Sequence, residues 1–298
     1  MTTKDRRFAA VDILLLVGAV LPLVFGIVLK ILTNVPSEGI TITGARVFFT
    51  IPMPIQDLPV TETQVNSALV MITLLCVCLY FTHGLTVRPH LKRQVIAEWI
   101  VKTCQKLVGQ NMGEYFAAFA PFIAAIMGLS AFSSLLTLLG LYPPTSDINV
   151  TAGWAILVFF LITYYKLKCG VGNYLKSFTE PIVVLLPLNI LGEVATPVSM
   201  AFRHFGNVLS GSVIAVLIGT ALQGLSNLIF GWLPGVLGDF PFLQVGIPAV
   251  LSMYFDIFSG ALQAFIFAML TMLNISGAFA QEEYEARQAK KLAKKQTK

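Results

Sequence analysis

The sequence is poor in charge. Lys, Arg, Asp and Glu make up 12% of its 298 residues, against about 25% in an ordinary soluble domain. That shortage leaves too little polar surface to cover a water-soluble globule of this size. It excludes a typical cytosolic enzyme, a disordered chain and a nucleic-acid-binding protein. Histidine is scarce too, with only His83, His90 and His204. No HExxH, GxSxG or GxxxxGK[ST] pattern occurs, so metal-dependent or triad catalysis is poorly supplied and no P-loop binds ATP. No cofactor and no metal is expected. The four cysteines, Cys76, Cys78, Cys104 and Cys169, have no CxxC metal spacing and suggest no disulfide framework.

Apolar length is what the chain has in abundance. Hydrophobic residues are 56% of the total, and the mean hydropathy is +0.79. A membrane-spanning helix needs about 20 apolar residues. Ile13–Leu29 (extending to Leu32), Ala68–Val87, Phe116–Leu139 and Val150–Tyr165 each fit one crossing. Two longer tracts, Ile182–Phe230 and Phe242–Ala280, exceed one bilayer thickness and must be tilted, broken or partly outside the hydrocarbon. Pro187 and Pro197 predict breaks in the first of them.

Leu91–Val108 reads differently. Ile96, Ile100, Thr103, Cys104 and Leu107 recur at helical spacing, with Lys92, Glu98, Lys102, Gln105 and Lys106 facing elsewhere. It is either an interfacial amphipathic helix or a soluble loop helix on the protein's own surface. The expected fold is all-α. It is a polytopic membrane protein with six membrane-crossing segments, an interfacial amphipathic helix and two long tilted C-terminal helices.

The positive-inside rule orients it. With the N-terminus in the cytoplasm, all Lys and Arg except Lys30, Arg46 and Arg203 lie on that side, which is 17 of 20. Both termini are then cytoplasmic. Lys4, Arg6 and Arg7 ahead of an apolar run also resemble a signal peptide. The length of that run and the lack of a small-x-small cleavage site favour its retention.

Arg203 is the cation left over, in the middle of the fifth tract with no carboxylate three or four residues away. At a helix centre an Arg costs about 2.5–3.5 kcal/mol even on the lenient insertion scale, and it cannot shed its proton. It needs a partner or a wet cavity. A structural pair with an acid on another helix and a role in an ion path are both open. Asn207 follows one turn later on the same face, and Gly206, Ser210, Gly211 and Ser212 are small enough to admit another helix closely. Asp256 and Gln263, seven residues apart, share a face of the last tract. Asp256 is either the counter-ion of Arg203 or a functional intramembrane carboxylate. An unrelated secondary transporter or channel built on an Arg203–Asp256 pair is the alternative. It predicts an internal inverted repeat, and none is evident.

These residues also carry a resemblance. Pro197-Val-Ser-Met-Ala-Phe-Arg203-His-Phe-Gly-Asn207 resembles the signature of subunit a of the F-type ATP synthase. Pro187-Leu-Asn189-Ile-Leu-Gly-Glu193, Asp147-Ile-Asn149-Val-Thr151 and Leu262-Gln263-Ala264-Phe265-Ile266-Phe267 resemble three further family segments, in the same order. The likeness runs from about Asn66 to Ala280. It implies a division into an added N-terminal helix and extracellular segment (1–65), a subunit a membrane core (66–281) and a basic cytoplasmic tail (282–298).

The resemblance further implies a stator that translocates ions, with no catalysis of its own. Its partners are a c-subunit ring, the peripheral stalk b subunits, the rest of the F-type ATP synthase and the lipid bilayer, with no nucleic acid. The location implied is a bacterial plasma membrane. Arg203 is then the cation separating two half-channels at the ring's carboxylate. Asn207 and Gln263 support it by hydrogen bonding, and Asp256 relays the ion in the half-channel open to the outside. Glu193 has a supporting part. Three positions depart from the family pattern: Thr196 in place of a common Lys, His204 in place of Leu, and Ser212 in place of Glu or His. His204 is expected to be a packing substitution on the helix face beside the ring. Ser212 leaves a hydroxyl where an acid is common. The proton is the default coupling ion.

Overall fold

The structure is a computed structural model that describes residues 3–33, 44–54, 56–86, 92–179, 182–232, 243, 246–281, 284, 285 and 289. Pro36, Arg88 and nearly all of the basic tail lie outside these residues.

The described chain is helical apart from one hairpin and its connections. The helices are α1 (Thr3–Leu32), α2 (Glu62–Thr82), α3 (Lys92–Met112), α4 (Ala120–Leu135), α5 (Ile148–Cys169), α6 (Val171–Thr179), α7 (Leu186–Phe230), α8 (Ile247–Ser252) and α9 (Gly260–Gly277). A π-helical segment, Met253–Ser259, joins α8 to α9. Among the described residues, six helical stretches are long and apolar enough to cross a membrane: Ala10–Leu32, Glu62–Thr82, Glu114–Leu139, Ile148–Cys169, Val183–Phe230 and Met253–Gly277. The chain is an all-α polytopic membrane protein. Its outer surface carries exposed Leu14, Leu75, Phe160, Val184 and Leu228, which suits hydrocarbon and not water.

Local chemistry sets the ends of several helices. The Asp147 carboxylate caps α5 by accepting from the Asn149 backbone N–H at 2.9 Å, which satisfies a donor with no partner inside the helix. At the far end Gly170 stops α5 with φ of 138°, a conformation open to glycine.

Proline behaves differently at its two sites in the fifth tract. Pro187 lies in the first turn of α7, where its missing N–H has no helical partner to lose. Pro197 is inside the helix, yet α7 runs through it for 45 residues. The break expected at Pro197 is therefore absent. In lipid a backbone that leaves the helix finds no water to bond, so the helix continues. Thr196 returns its hydroxyl to the Gly192 carbonyl at 3.1 Å on this turn.

α3 (Lys92–Met112) covers the expected segment and runs four residues past it, and the face it turns inward is not the Ile96–Ile100 row. Gln94, Val108 and Met112 are buried, whereas Ile96, Trp99 and Ile100 are exposed. The Gln94 side chain donates to the Thr86 carbonyl at 2.6 Å, which draws that face inward.

Two features have no counterpart in the sequence reading. Val47–Ile51 and Leu58–Thr61 form an antiparallel hairpin, and α6 is a separate short helix.

α1 lies along α2. The Thr73 hydroxyl donates to the Ala19 carbonyl at 3.2 Å, and the Lys30 ammonium donates to the Gly140 carbonyl. Near the start of α1, Asp12 takes Arg93 at 2.7 Å and His83 at 2.8 Å on one oxygen.

The main core joins α3, α4, α5, α7 and α9 through Val108, Ile123, Val158, Met200, Ala201, Phe267, Ala268, Met272 and Ile275. This core holds the inner face of α7 against the bundle.

Candidate functional site

α7 turns one face inward. Met200, Ala201, His204 and Gly211 are buried on it, at the spacing that keeps residues on one side of a helix. Arg203 precedes His204 by one residue, roughly 100° around the axis, and it is exposed. Among the described residues, none hydrogen-bonds or ion-pairs with Arg203. Asp256 is therefore not its counter-ion within this chain. The hydrogen bonds expected from Asn207 and Gln263 to Arg203 are not formed either. Both amides are engaged with, or turned toward, the interior of the bundle, while the guanidinium leaves it.

Asn207 is half-buried, and its Oδ1 accepts from the Ser259 hydroxyl at 3.0 Å. That bond ties α7 to the π-helical segment. The same contact depends on small residues. A Cβ built on Gly211 lies 3.2 Å from the Phe255 ring, and one on Gly260 lies 2.6 Å from the Ser134 Cβ. Glycine at these positions lets α4, α7 and the last helical stretch converge. At the meeting point a cavity of about 10 Å³ is lined by Ser134, Thr137, Asn207, Val208, Gly211, Phe255 and Asp256, room for about one water molecule. Asp256 reaches it from the π-helical segment, a distortion that recurs at functional sites. Ser212 is not among the lining residues, and its hydroxyl donates to the Leu209 carbonyl at 2.8 Å.

A second, larger cavity lies toward the start of α7. Its volume is about 500 Å³, and its polar lining comes from Lys166, Ser177, Asn189, Glu193, Thr196 and Asn274. Glu193 Oε2 pairs with the Lys166 ammonium at 2.5 Å, and its Oε1 is buried with no partner among the described residues. Glu193 is ten residues before Arg203, about 15 Å along the axis, and Asn207 is four after it, about 6 Å. Arg203 thus lies between the two polar cavities along one helix.

Two residues are more buried than the motif suggested. Gln263 is buried, and its Nε2 has no partner among the described residues. His204 is wholly buried, with its Nε2 3.2 Å from the Ser130 hydroxyl. It faces α4, α5 and α9, inside the bundle, and not the outward face of α7 that carries Arg203. The signal for this was in the spacing: His204 continues the inward row set by Met200 and Ala201, and Arg203 does not.

Six spans and a cation with no partner among the described residues, set between two polar cavities, suit an ion-translocating membrane protein. The ATP synthase A chain family matches residues 65–276. The chain is 33% identical to ATP synthase subunit a of Desulforamulus reducens, over 74% of this chain and 80% of that protein. It is 32% identical to ATP synthase subunit a of Bacillus pumilus, over 71% and 88%. It is 27% identical to the sodium ion specific ATP synthase subunit a of Propionigenium modestum, over 82% and 88%. This chain belongs to the ATP synthase A chain family. It is a non-catalytic, ion-translocating stator subunit in the membrane sector of an F-type ATP synthase, associated with the rest of that complex.

Proposed function

We propose that α7 and the last helical stretch face a ring of c subunits, with Arg203 as the charge that separates two aqueous half-channels. The observation that carries this reading is the exposed guanidinium of Arg203, unpaired among the described residues and set between two polar cavities along α7. A permanent cation on the outer face of a membrane helix is costly alone. A carboxylate moving past on another polypeptide offsets that cost. The attraction at 4 Å is about 1 kcal/mol in water and about 4 kcal/mol at an effective dielectric of 20. It favours the deprotonated carboxylate and so releases the ion. The same charge repels a second cation and blocks leakage from one half-channel to the other.

The distribution of Lys and Arg supports cytoplasmic termini. In that orientation the Glu193 cavity opens toward the cytoplasm and the Asp256 cavity belongs to the outer half-channel. Asp256 relays the ion there, and Asn207 holds the wall through Ser259. Glu193, paired with Lys166, lines the inner route. Ser212, bonded to its own helix, has no part in either lining. The peripheral stalk b subunits and the bilayer of a bacterial plasma membrane complete the setting.

The proton is the coupling ion in this reading, since hydroxyls, a carboxylate and a single water suffice to pass it. The sodium-specific relative favours a second reading in which Na⁺ is carried. The test of the central claim is Arg203→Ala in the purified complex, reconstituted into vesicles. ATP-driven ion pumping is expected to vanish while the subunit stays assembled. Full coupled pumping by that variant refutes the role of Arg203. Replacing Na⁺ by K⁺ in the same assay decides between the ions.

A further inference from the structure

A carboxylate and an ammonium meet at the wall of the larger cavity. Glu193, on α7, is the acid of that wall, and its side chain is only 14% exposed. Oε2 takes the Lys166 ammonium at 2.5 Å, while Oε1 is buried with no partner among the described residues. A lone carboxylate in such a setting is costly to desolvate, and it draws any cation that enters the cavity. The inner route would then keep its ion where it has to pass it on.

Lys166 is placed to prevent this. It lies in the last turn of α5, where the helix carbonyls favour a cation. Its ammonium is 5.8 Å from the centre of the Tyr174 ring on α6, within reach of a cation–π attraction. Tyr174 senses the carboxylate of the pair too, since burial and then the Glu193 charge push its phenol up. Lys168, two residues on in the same turn, turns away and donates to the Tyr115 hydroxyl at 2.9 Å. Of these two lysines, only Lys166 enters the cavity. The other polar side chains of the lining are Ser177 on α6, Asn189 and Thr196 on α7, and Asn274 on α9, and none of them is charged. Glu193 and Lys166 therefore set the charge of the cavity between them.

We propose that Lys166 is a positioning residue of the inner half-channel, which fixes and neutralises Glu193 so that a cation crosses the cavity without being held there. This rests on the half-channel reading above. Removing the ammonium leaves a bare carboxylate, which binds the ion in the cavity more tightly. Tighter binding ahead of the ring lowers the ion concentration needed to fill the route, and it slows release toward the ring. The half-saturating concentration and the saturated rate then fall together. A tie that merely holds α5 against α7 makes no such link, and its loss lowers the rate at every ion concentration alike.

The experiment uses the whole complex in vesicles and follows ATP-driven proton pumping against the proton concentration on the ATP side. Where Na⁺ proves to be the coupling ion, its concentration is varied instead. Lys166→Gln keeps a hydrogen-bond donor for Glu193 and removes the charge. It is expected to remain assembled, with a half-saturating concentration lower by about tenfold and a slower saturated rate. Lys166→Arg keeps the charge and is expected to restore both. A slower rate with an unchanged half-saturating concentration overturns the proposal and leaves the pair as a structural tie. Wild-type behaviour of Lys166→Gln overturns it as well. If Lys166→Gln does not assemble, Glu193→Asp is read by the same two measures, because it draws the carboxylate back from the ammonium by one methylene. A lower half-saturating concentration supports the role of Lys166, and an unchanged one overturns it. Arg203→Ala is the control. If it abolishes pumping while Lys166→Gln pumps as wild type, the half-channel reading stands and only the role of Lys166 fails.

Discussion

A single residue step separates two opposite environments in this protein. Arg203 leaves the bundle with no partner among the described residues, and His204, next to it, is sealed inside. The helical rotation of about 100° per residue makes this division, and the buried Met200 and Ala201 set its phase. Asp256 stands at a small cavity shared with Asn207. Asp256→Asn keeps the shape of the side chain and removes the charge, so ion pumping is expected to slow while assembly persists. An unchanged pumping rate assigns Asp256 to packing. Gly260 has a different task, since a Cβ there meets the Ser134 Cβ at 2.6 Å. Gly260→Leu is expected to destabilise the subunit by about 1–3 kcal/mol through overpacking. The check is a lower thermal midpoint of the purified complex, and an unaltered midpoint contradicts the close approach of α4 and α9.

Among the elements, α7 has the most demanding geometry. Its 45 residues span about 68 Å at 1.5 Å per residue, more than twice the ~30 Å hydrocarbon core. Such a helix cannot stand upright within one bilayer. A steep tilt keeps its apolar length in lipid and presents a long face to a neighbour. Its length was visible as an unbroken apolar tract. Its continuity through Pro197 was not, because a proline is read as a break when water is the solvent, and lipid removes the alternative partners.

α1 invites a direct test of its place. A Cβ at Gly18 lies 3.9 Å from the Cβ of Cys76, inside the range of about 3.5–4.5 Å that a disulfide needs. Gly18→Cys is therefore expected to cross-link to Cys76 under mild oxidation. The bond is read as two fragments held together after cleavage between α1 and α2 and separated by reductant. Fragments that part without reductant show that α1 does not pack on α2 in the assembled protein.

At the scale of the whole molecule, the two polar cavities flank Arg203 along α7, and Lys166 and Lys168 in the last turn of α5 stand at the Glu193 end. Cysteines placed singly at either end are expected to label from opposite sides of sealed vesicles. Positions near Lys166 should react from the cytoplasmic side and positions near Glu62 from the outer side. Labelling of both from one side contradicts the proposed orientation of the half-channels.

Residue types and their order alone place this chain in a membrane, set how many times it can cross, and single out the cation and carboxylate of its apolar tracts. Those conclusions follow from composition, run length and the price of a buried charge, all of which are local. The four motif segments, Arg203 and Gln263 among them, were equally legible, because recognition of a family needs only residue types in order. Which groups meet is a matter of three-dimensional packing. Gln94 draws α3 inward and leaves Ile96 exposed, Asn207 bonds Ser259 and not Arg203, and His204 joins the hydroxyls of α4. Each of these depends on the rotation and approach of helices distant in sequence. Glycines such as Gly211 and Gly260 permit that approach, but no spacing along the chain specifies the partner they admit.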